Sequence, residues 1–252
     1  MTHAHGTFCF AELHTSDMGR DARFYGDLFG WTVVEAPNAG GDYSLFRLDG
    51  ADVAGLRRTH GPRRWVPYVS VAGTDAVATT AHGLGAAIVT APVEMPGLAR
   101  VAVLHDPAGG VLGLWEAKGH AGAQVVDRPG SLWWAELLTR DVQVARQFYA
   151  SLLGWTAVDT LKYGIRYSVF KLGDEAVGGL LPIGSDWGPV GAYWQVLFAT
   201  ADCDATLARA KTLGGSIIFG PNDVPNAGRA TIITDPGNAT FALMQPNSRA
   251  GP

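Results

Sequence analysis

Apolar and polar residues alternate near the start of the chain, in the segment FCFAEL at residues 8–13. Successive side chains of a β-strand point to opposite faces, so this alternation predicts a strand. Phe10 and Glu12 would then lie on one face, together with His14 two positions further along, while the residues between them would lie on the other.

The segment after this strand has the spacing of a helix. GRDARFYGDLFG, which begins at Gly19, shows the periodicity of an amphipathic helix. Ser16 or Asp17 can accept hydrogen bonds from the amides of its first turn, and Gly30 can adopt the left-handed conformation that ends it. Apolar runs then predict three further strands, so this part of the chain has the order β-α-β-β-β.

The opening phrase of the chain occurs twice. Residues 10–34 and 134–158 share 12 identities in 25 positions, at an offset of 124. The segment from Tyr43 matches the segment from Tyr167 at the same offset. Later segments match at an offset of 129, so the second copy has gained five residues, most simply near Pro182. The chain is therefore a tandem duplication.

Each copy also contains the β-α-β-β-β order twice. WVPYVSVAG predicts a strand, TDAVATTAHGLG a short helix, and three more strands follow up to Trp115. The sequence thus predicts an α+β protein made of four β-α-β-β-β modules. We expect a first domain at residues 1–118, a linker at 119–130, a second domain at 131–248 and a tail at 249–252.

The composition is typical of a soluble globular protein. Hydrophobic residues make up 47% and charged residues 17%, which provides enough apolar surface for a core. The net charge of −4 and the scattered Lys and Arg residues argue against nucleic acid as a partner. No apolar run approaches the ~18–20 residues that span a bilayer, and the N-terminus lacks a secretory signal. With two cysteines that the repeat does not match to each other, we expect a cytoplasmic protein without disulfides.

Both copies share a strand that ends in T-x-D, a helix that carries FY and GW, and a last strand that follows D-P. Together these motifs resemble the vicinal oxygen chelate superfamily, which includes glyoxalase I, bleomycin-resistance proteins, fosfomycin-resistance enzymes and extradiol dioxygenases. The chain is also similar to a tandem glyoxalase-like subgroup common in actinomycetes, often labelled hydroxylases. The resemblance covers Phe8 to Gln245 and implies curled mixed sheets that form cup-shaped clefts for small molecules.

Active members of this superfamily usually hold a divalent metal ion in the cup. The resemblance places a first ligand seven residues before the helix-capping aspartate, where this chain has Phe10 and Trp134. It places a Glu ligand seven residues after the aspartate of D-P, where the chain has Gly113 and Ala242. A further ligand position falls near Gln195, and a single Gln cannot hold the ion. We therefore expect neither a metal ion nor another cofactor.

Both copies place a glutamate beside the lost ligand position. Glu12 and Glu136 have the strand parity of the replaced ligands, so both carboxylates would face the cup. Unless it is paired, a carboxylate on an apolar wall tends to have a raised pKa and can act as a general base. Alternatively, Arg100 or Arg229 pairs with it, and the ion pairs only hold the sheets together.

His14 is the main difference between the copies. It shares the face of Glu12, whereas the matching residue of the second copy is Leu138. Two interpretations remain open. Either the Glu-x-His pair moves a proton, or His14 only lies at the rim of the cup.

The remaining candidates form the predicted lining of the cup. Aromatic rings and a thioether suit a flat, apolar ligand, whereas the alternative interpretation is plain core packing. A tyrosine or an arginine would stabilise an oxyanion. The candidate ligand-binding residues are Phe10, Trp134, Trp115, Met244, Tyr43, Tyr167, Arg100, Arg229 and Gln195.

Three functions are compatible with these residues. The first is a metal-independent enzyme of the lyase, isomerase or cyclase type that acts on a small carbonyl-bearing or polyketide-like metabolite, with Glu12, Glu136 and His14 as catalytic residues. The second is a protein that sequesters an aromatic natural product, as resistance members of the superfamily do. The third is a metal-dependent glyoxalase or dioxygenase with a non-standard site. All three predict a small-molecule ligand and no membrane partner, in a monomer or a homodimer.

Overall fold

The computed structural model describes residues 3–36, 41–162 and 164–247, which form sixteen strands, four α-helices and a short 3₁₀ helix. The helices are α1 (Met18–Phe29), α2 (Thr74–Gly83), α3 (Val142–Leu153) and α4 (Cys203–Thr212), with the 3₁₀ helix at Ser185–Trp187. The strands are β1 (Phe8–Thr15), β2 (Thr32–Glu35), β3 (Tyr43–Leu48), β4 (Ala51–Arg58), β5 (Arg64–Ser70), β6 (Ala87–Met95), β7 (Ala99–His105), β8 (Val111–Ala117), β9 (Leu132–Thr139), β10 (Thr156–Lys162), β11 (Ile165–Leu172), β12 (Glu175–Pro182), β13 (Tyr193–Ala199), β14 (Ser216–Val224), β15 (Gly228–Thr234) and β16 (Thr240–Pro246). None of these helices has the length and apolar character needed to cross a lipid bilayer.

The elements follow the predicted module order four times. The modules are β1-α1-β2-β3-β4, β5-α2-β6-β7-β8, β9-α3-β10-β11-β12 and β13-α4-β14-β15-β16. In each module the first and last strands belong to parallel pairs, and the remaining pairs are antiparallel. The sheets are therefore mixed, and the predicted α+β class is confirmed.

Helix α1 begins and ends where the sequence predicts. Of the two candidate caps, Asp17 accepts a hydrogen bond from the backbone amide of Arg20 at 3.0 Å. Gly30 follows with a φ of 76°, in the left-handed region that glycine adopts without strain. Gly154 ends helix α3 in the same way, with a φ of 72°. Local sequence signals thus determine the ends of both helices.

Contacts between residues divide the chain into two compact units. Among the described residues, the first unit combines 67–122 and 135–194 with residues 3–9, and the second combines 10–66, 123–134 and 195–247. Each unit thus contains one module from each repeat, whereas the predicted domains follow the repeats themselves. The predicted boundaries stay a prediction of sequence organisation, and the predicted tail at 249–252 lies outside the described residues, as does residue 248.

The second unit contains the first and fourth modules. Its strands run in the orders β2-β3-β4-β1 and β13-β16-β15-β14, and helices α1 and α4 contact each other. Its core contains buried aromatic rings from both modules and from the start of β5, which are Phe24, Tyr25, Trp31, Phe46, Trp65, Phe198 and Phe241. These rings have their faces and edges in contact, which adds to the stabilisation from apolar burial.

The first unit repeats this arrangement with the second and third modules. Its strands run in the orders β5-β8-β7-β6 and β10-β11-β12-β9, and helices α2 and α3 contact each other. Its core contains Phe148, Tyr149, Trp155, Phe170 and Trp194. The helix aromatics that carry the FY motif are therefore core residues in both units.

Candidate active site

Strand β1 separates core residues from candidate site residues. Ala11 and Leu13 are buried in the core of the second unit. Phe10, Glu12 and His14 alternate with them and so lie on the opposite face. Phe10 and Glu12 are fully buried, whereas His14 keeps 12% of its side chain exposed. The carboxylate and the imidazole predicted from strand parity are thus neighbours.

Three polar side chains surround the carboxylate of Glu12. The hydroxyl of Tyr43 donates a hydrogen bond to Oε1 at 2.6 Å. Arg57 donates from Nε to Oε2 at 2.9 Å and from Nη2 to Oε1 at 3.2 Å, in the fork geometry that suits a carboxylate. Nε2 of His14 lies 3.3 Å from Oε2. We call these four residues the Glu12 cluster.

Strand pairing assembles the Glu12 cluster from three strands. Glu12 of β1 pairs with Gly55 of the parallel strand β4, and Arg57 follows Gly55 by two positions on the same face. Tyr43 of β3 pairs with Arg57 across the antiparallel β3–β4 pair. The guanidinium carbon lies 4.9 Å from the centre of the Tyr43 ring, so cation–π attraction adds to the hydrogen bonds.

Gly55 leaves the space that Tyr43 occupies. A Cβ atom at this position would lie 2.5 Å from the Tyr43 hydroxyl and 2.8 Å from Cγ of Glu12, closer than atoms can approach. The repeat conserves this arrangement, because a Cβ atom at Gly179 would overlap the hydroxyl of Tyr167. The tyrosine–glutamate contact in each repeat therefore depends on a glycine in the neighbouring strand.

Arg57 keeps Glu12 ionised. Burial, the largest single effect, would raise the pKa of Glu12, because a buried carboxylate loses its hydration. The charge of Arg57 and the hydrogen bonds from His14 and Arg57 outweigh burial and hold the pKa of Glu12 well below its usual range. A raised pKa was expected only for an unpaired carboxylate, and Glu12 is paired, because Arg57 lies within hydrogen-bonding distance.

The arginine beside Glu12 is not one of the predicted pair. Arg100 binds Asp75 in the first turn of α2, with distances of 2.5 and 2.8 Å. Arg229 binds Asp204 in the first turn of α4, with distances of 2.7 and 3.0 Å. The expected ion pairs between these arginines and the buried glutamates are therefore not formed. A ligand-binding role for Arg100 and Arg229 stays a prediction.

Arg57 is the site residue that the sequence reasoning missed. The repeat matches Arg57 to Leu181, just as it matches His14 to Leu138. Both basic residues of the Glu12 cluster are thus replaced by leucine at matched positions, while the glutamate and the tyrosine are retained. This paired loss is the signal that would have indicated Arg57.

The matching site of repeat two has leucines where repeat one has its basic residues. Tyr167 donates a hydrogen bond to Glu136 at 3.1 Å, and Glu136 is buried. Leu138 and Leu181 pack with Tyr167 in one hydrophobic cluster. The glutamate–tyrosine pair is therefore duplicated, whereas the histidine and arginine of the Glu12 cluster are particular to repeat one.

Two of the aromatic residues predicted to line the cup are buried in the structure. The ring of Phe10 lies 3.1 Å from the position of a Cβ atom at Gly55, so it is adjacent to the Glu12 cluster. Trp115 is buried in the first unit, where its ring meets Tyr68 edge to face. Its Nε1 donates to the carbonyl oxygen of His120 at 2.8 Å. These contacts hold both rings in defined orientations.

Three further predicted lining residues lie in the second unit. Met244 and Gln195 are buried on the parallel strands β16 and β13. Nε2 of Gln195 donates to the carbonyl oxygen of Val196 at 3.3 Å, while its Oε1 makes no hydrogen bond within the described residues. Trp134 is partly exposed. Their roles in ligand binding stay predictions.

The positions at which the superfamily holds its metal ion do not fit one in this chain. Gln195 offers one oxygen, whereas a divalent ion needs several oxygen or nitrogen donors. At the ligand position held by Gly113, the ring of Tyr68 occupies the space that a larger side chain would need. Across the described residues, no group of three or more His, Cys, Asp or Glu side chains is placed to hold a metal ion. The four other positions hold Phe10, Trp134, Gly113 and Ala242.

Comparison with known proteins finds the same superfamily in both repeats. Residues 131–243 match the Glyoxalase/Bleomycin resistance protein/Dioxygenase superfamily, and residues 8–114 match the Glyoxalase-like domain. The chain is 37% identical to the anthracycline biosynthesis protein DnrV of Streptomyces peucetius, over 96% of this chain and 94% of that protein. It is 34% identical to the putative glyoxylase CFP32 of Mycobacterium tuberculosis, over 96% of this chain and 95% of that protein.

Solved structures share the fold at lower identity. The Mn(II)-bound glyoxalase from Novosphingobium aromaticivorans has a TM-score of 0.67 and 18% identity, over 96% of this chain and 82% of that one. The 2,2',3-trihydroxybiphenyl 1,2-dioxygenase from Sphingomonas wittichii strain RW1 has a TM-score of 0.67 and 15% identity, over 99% and 93%. From its fold, both of its repeats and its full-length relatives, the chain belongs to the glyoxalase, bleomycin resistance protein and dioxygenase superfamily, the vicinal oxygen chelate proteins.

Proposed function

We propose that the protein is an enzyme that moves a proton on an aromatic, carbonyl-bearing metabolite, and that repeat one carries this chemistry. The observation that supports the proposal is the Glu12 cluster, in which a buried carboxylate holds an imidazole and a guanidinium together. Repeat two retains the carboxylate but not the two basic groups.

Glu12 is a positioning residue in this proposal, not the base that its strand position first indicated. A carboxylate with a depressed pKa is a weak base, and Glu12 makes hydrogen bonds to Tyr43 and Arg57 as well. Because an ionised carboxylate only accepts hydrogen bonds, Nε2 of His14 carries the hydrogen that faces it. Nδ1 of His14 then keeps its lone pair and is the atom that takes a proton from the substrate.

The proposed step is an enolisation. Nδ1 of His14 removes a proton from the carbon next to a carbonyl group, the C–H electron pair forms the C=C bond, and the carbonyl π pair moves to oxygen. In a substrate whose next C–C bond is a double bond, a β,γ-unsaturated ketone, the enolate is a dienolate. The oxygen pair re-forms the carbonyl group, the α C=C pair moves between the α and β carbons, and the β,γ pair takes the proton from the imidazolium at the γ carbon, so that the product is an isomer of the substrate. Arg57 stabilises the enolate that forms, and Glu12 stabilises the imidazolium.

The relatives and the aromatic neighbour support the substrate class. DnrV is named for anthracycline biosynthesis, and anthracyclines are built on flat aromatic ring systems that carry carbonyl groups. Phe10 places a buried aromatic ring next to the Glu12 cluster, so the surroundings of the cluster are partly apolar and aromatic. We therefore propose an aromatic polyketide ketone as the substrate.

Deuterium exchange tests this proposal directly. The protein is incubated with anthracyclinone ketones in D₂O, and mass spectrometry follows catalysed incorporation of deuterium. We expect exchange with the wild type, its loss in His14→Gln, and unchanged exchange in Leu138→Gln, the matched change in repeat two. Absence of exchange across the ketones, or its persistence in His14→Gln, would overturn the proposal.

Sequestration of an aromatic ligand is the second candidate, and the apolar cluster of Leu138, Tyr167 and Leu181 in repeat two favours it. Tight binding of the same ketones without exchange or any other turnover would support sequestration over catalysis. Metal analysis of protein purified without a His-tag distinguishes these two candidates from a metal-dependent reaction. A divalent ion bound in stoichiometric amount would support the metal-dependent reaction.

A further inference from the structure

Strand β5 begins with Arg64, an arginine outside the Glu12 cluster. Arg64 is partly buried, and its hydrogen bond is to the carbonyl oxygen of Pro62 at 3.4 Å. Within the described residues Arg64 makes no ion pair. Burial lowers the pKa of Arg64, because the cation loses part of its hydration. A partly buried cation without a counter-ion is costly, which suggests that an anion is its missing partner.

The neighbours of Arg64 show which face it occupies. Arg63 donates a hydrogen bond to Thr15 of the adjacent strand β1, and Trp65 packs in the core of the second unit. Residues 63 and 65 thus lie on the core side of these strands. Arg64 lies between them in sequence and so has the opposite face, which is the face of Glu12. Side chains that share a face of neighbouring strands are ~5–8 Å apart, within the reach of an arginine.

The charges on this face do not cancel. The carboxylate of Glu12 forms a two-pronged ion pair with Arg57, so these two charges offset each other. Arg64 adds a positive charge on the same face of the neighbouring strand β5. This surplus favours a ligand that brings a negative charge to the same face.

Repeat two has lost this surplus. Tyr193 matches Arg64, and it packs with Leu138 and Leu181 in one hydrophobic cluster. Burial, together with the charge of Glu136, raises the pKa of Tyr193 to about 12, so Tyr193 is neutral at pH 7. The three matched positions lie together in repeat two, which supports the same proximity of Arg64 to the Glu12 cluster in repeat one.

We propose that Arg64 forms an anion-binding subsite of the repeat-one site and takes a carboxylate on an aromatic ligand. The subsite rests on the proposed function for the place where the ligand binds, but it requires binding alone. It makes repeat one selective for acids, whereas Tyr193 leaves the matching position of repeat two uncharged.

A pair of probes that differ only in charge tests this subsite. Binding of anthraquinone-2-carboxylate and of its methyl ester is measured at pH 7 by quenching of tryptophan fluorescence. We expect the wild type to bind the acid about tenfold more tightly than the ester. Arg64→Gln removes this preference by weakening the acid alone, and Arg64→Lys retains part of it. Arg23→Gln removes an exposed charge from helix α1 and serves as the control for long-range attraction, with the preference unchanged.

Several outcomes overturn the subsite. They are binding of neither probe, equal binding of acid and ester by the wild type, equal weakening of both in Arg64→Gln, and the same loss of preference in Arg23→Gln. Because the measurement is equilibrium binding, it is independent of turnover. A retained preference for the acid with no deuterium exchange would contradict the proposed enzyme and leave the subsite standing.

Discussion

The hydroxyl of Tyr25 donates a hydrogen bond to Asp235 at a distance of 2.8 Å. Tyr25 belongs to helix α1 of the first module and Asp235 follows strand β15 of the fourth, so the bond joins the two repeats inside the second unit. Arg63 also binds Asp235, with 3.2 Å between Nε and Oδ1. In the first unit the hydroxyl of Tyr149 donates a hydrogen bond to Asp106 in the same way. The repeat matches Arg63 to Ala192, so no arginine is present at that position. The two tyrosine–aspartate pairs therefore differ in the presence of a cation.

Tyr149→Phe should destabilise the protein more at pH 7 than at pH 4. Burial raises the pKa of Asp106, although the hydrogen bond from Tyr149 partly offsets this effect. The folded state thus holds the proton of Asp106 more tightly than the unfolded chain, and stability falls as the pH rises from the ordinary pKa to the raised one. Removal of the hydroxyl leaves the ionised carboxylate with one donor fewer. We expect the free energy of unfolding to fall by about 2–3 kcal/mol at pH 7 and by less at pH 4, as measured by urea unfolding.

Tyr25→Phe is the matched control for this change. Arg63 continues to pair with Asp235, so we expect a loss of only about 1 kcal/mol with little difference between the two pH values. If Tyr25→Phe and Tyr149→Phe lower the free energy of unfolding equally at pH 7, Arg63 does not compensate for the lost hydrogen bond to Asp235.

Arg57→Met should expose the cost of burying Glu12. With its depressed pKa, Glu12 contributes stability above the ordinary carboxyl pKa, and this contribution is lost as the pH falls through the depressed value. Removal of the cation leaves a buried carboxylate, and we expect the free energy of unfolding to fall by about 3–5 kcal/mol at pH 7. The loss should be smaller at pH 4, where Glu12 can take up a proton in the variant. Urea unfolding at the two pH values measures both effects.

The double variant Glu12→Gln/Arg57→Met separates charge from packing. It removes both members of the ion pair, so at pH 7 we expect it to be more stable than Arg57→Met alone. If the double variant is equally unstable, lost packing of the arginine side chain is the cause, and the proposed effect of charge is wrong.

Gly55→Ala should disturb the contact between Tyr43 and Glu12. The added methyl group overlaps the tyrosine hydroxyl, and we expect a loss of about 1–3 kcal/mol in the free energy of unfolding. Tyr43→Phe removes the overlapping oxygen, so in combination the two changes should cost less than the sum of their separate effects. A double-mutant cycle by thermal unfolding checks this, and strictly additive losses would contradict the steric argument.

Local features of the fold were predictable from the sequence because their causes are local. Asp17 and Gly30 mark the ends of helix α1 through the chemistry of a few neighbouring residues. Glu12 and His14 share a face because they are two positions apart on one strand. The internal repeat then extended these assignments from one module to the next.

The partners of Glu12 depend instead on which strands become neighbours. Arg57 lies 45 positions after Glu12 and reaches it only because β4 pairs in parallel with β1. Arg100 shares its strand position with Arg229 in the repeat, but each binds an aspartate in the helix of its own module. Strand parity indicates which face of the sheet a side chain occupies, but not which strand lies beside it. For this reason the sequence predicts Arg100 and Arg229 as partners of the glutamates, whereas Arg57 pairs with Glu12.

His14→Ala offers the strictest test of the proposed base. The substitution leaves a space next to Glu12 on the partly exposed side of the cluster, and it removes the imidazole that general acid–base catalysis requires. We expect the rate of deuterium exchange to fall by about 100-fold or more. Added free imidazole should restore part of this rate in His14→Ala, because it can bind the carboxylate of Glu12 and take the proton in place of the side chain. It should restore nothing in His14→Ala/Glu12→Gln, which lacks the charge that orients it. A histidine that only supports the fold would show no response to imidazole in either variant, and that result would exclude His14 as the base.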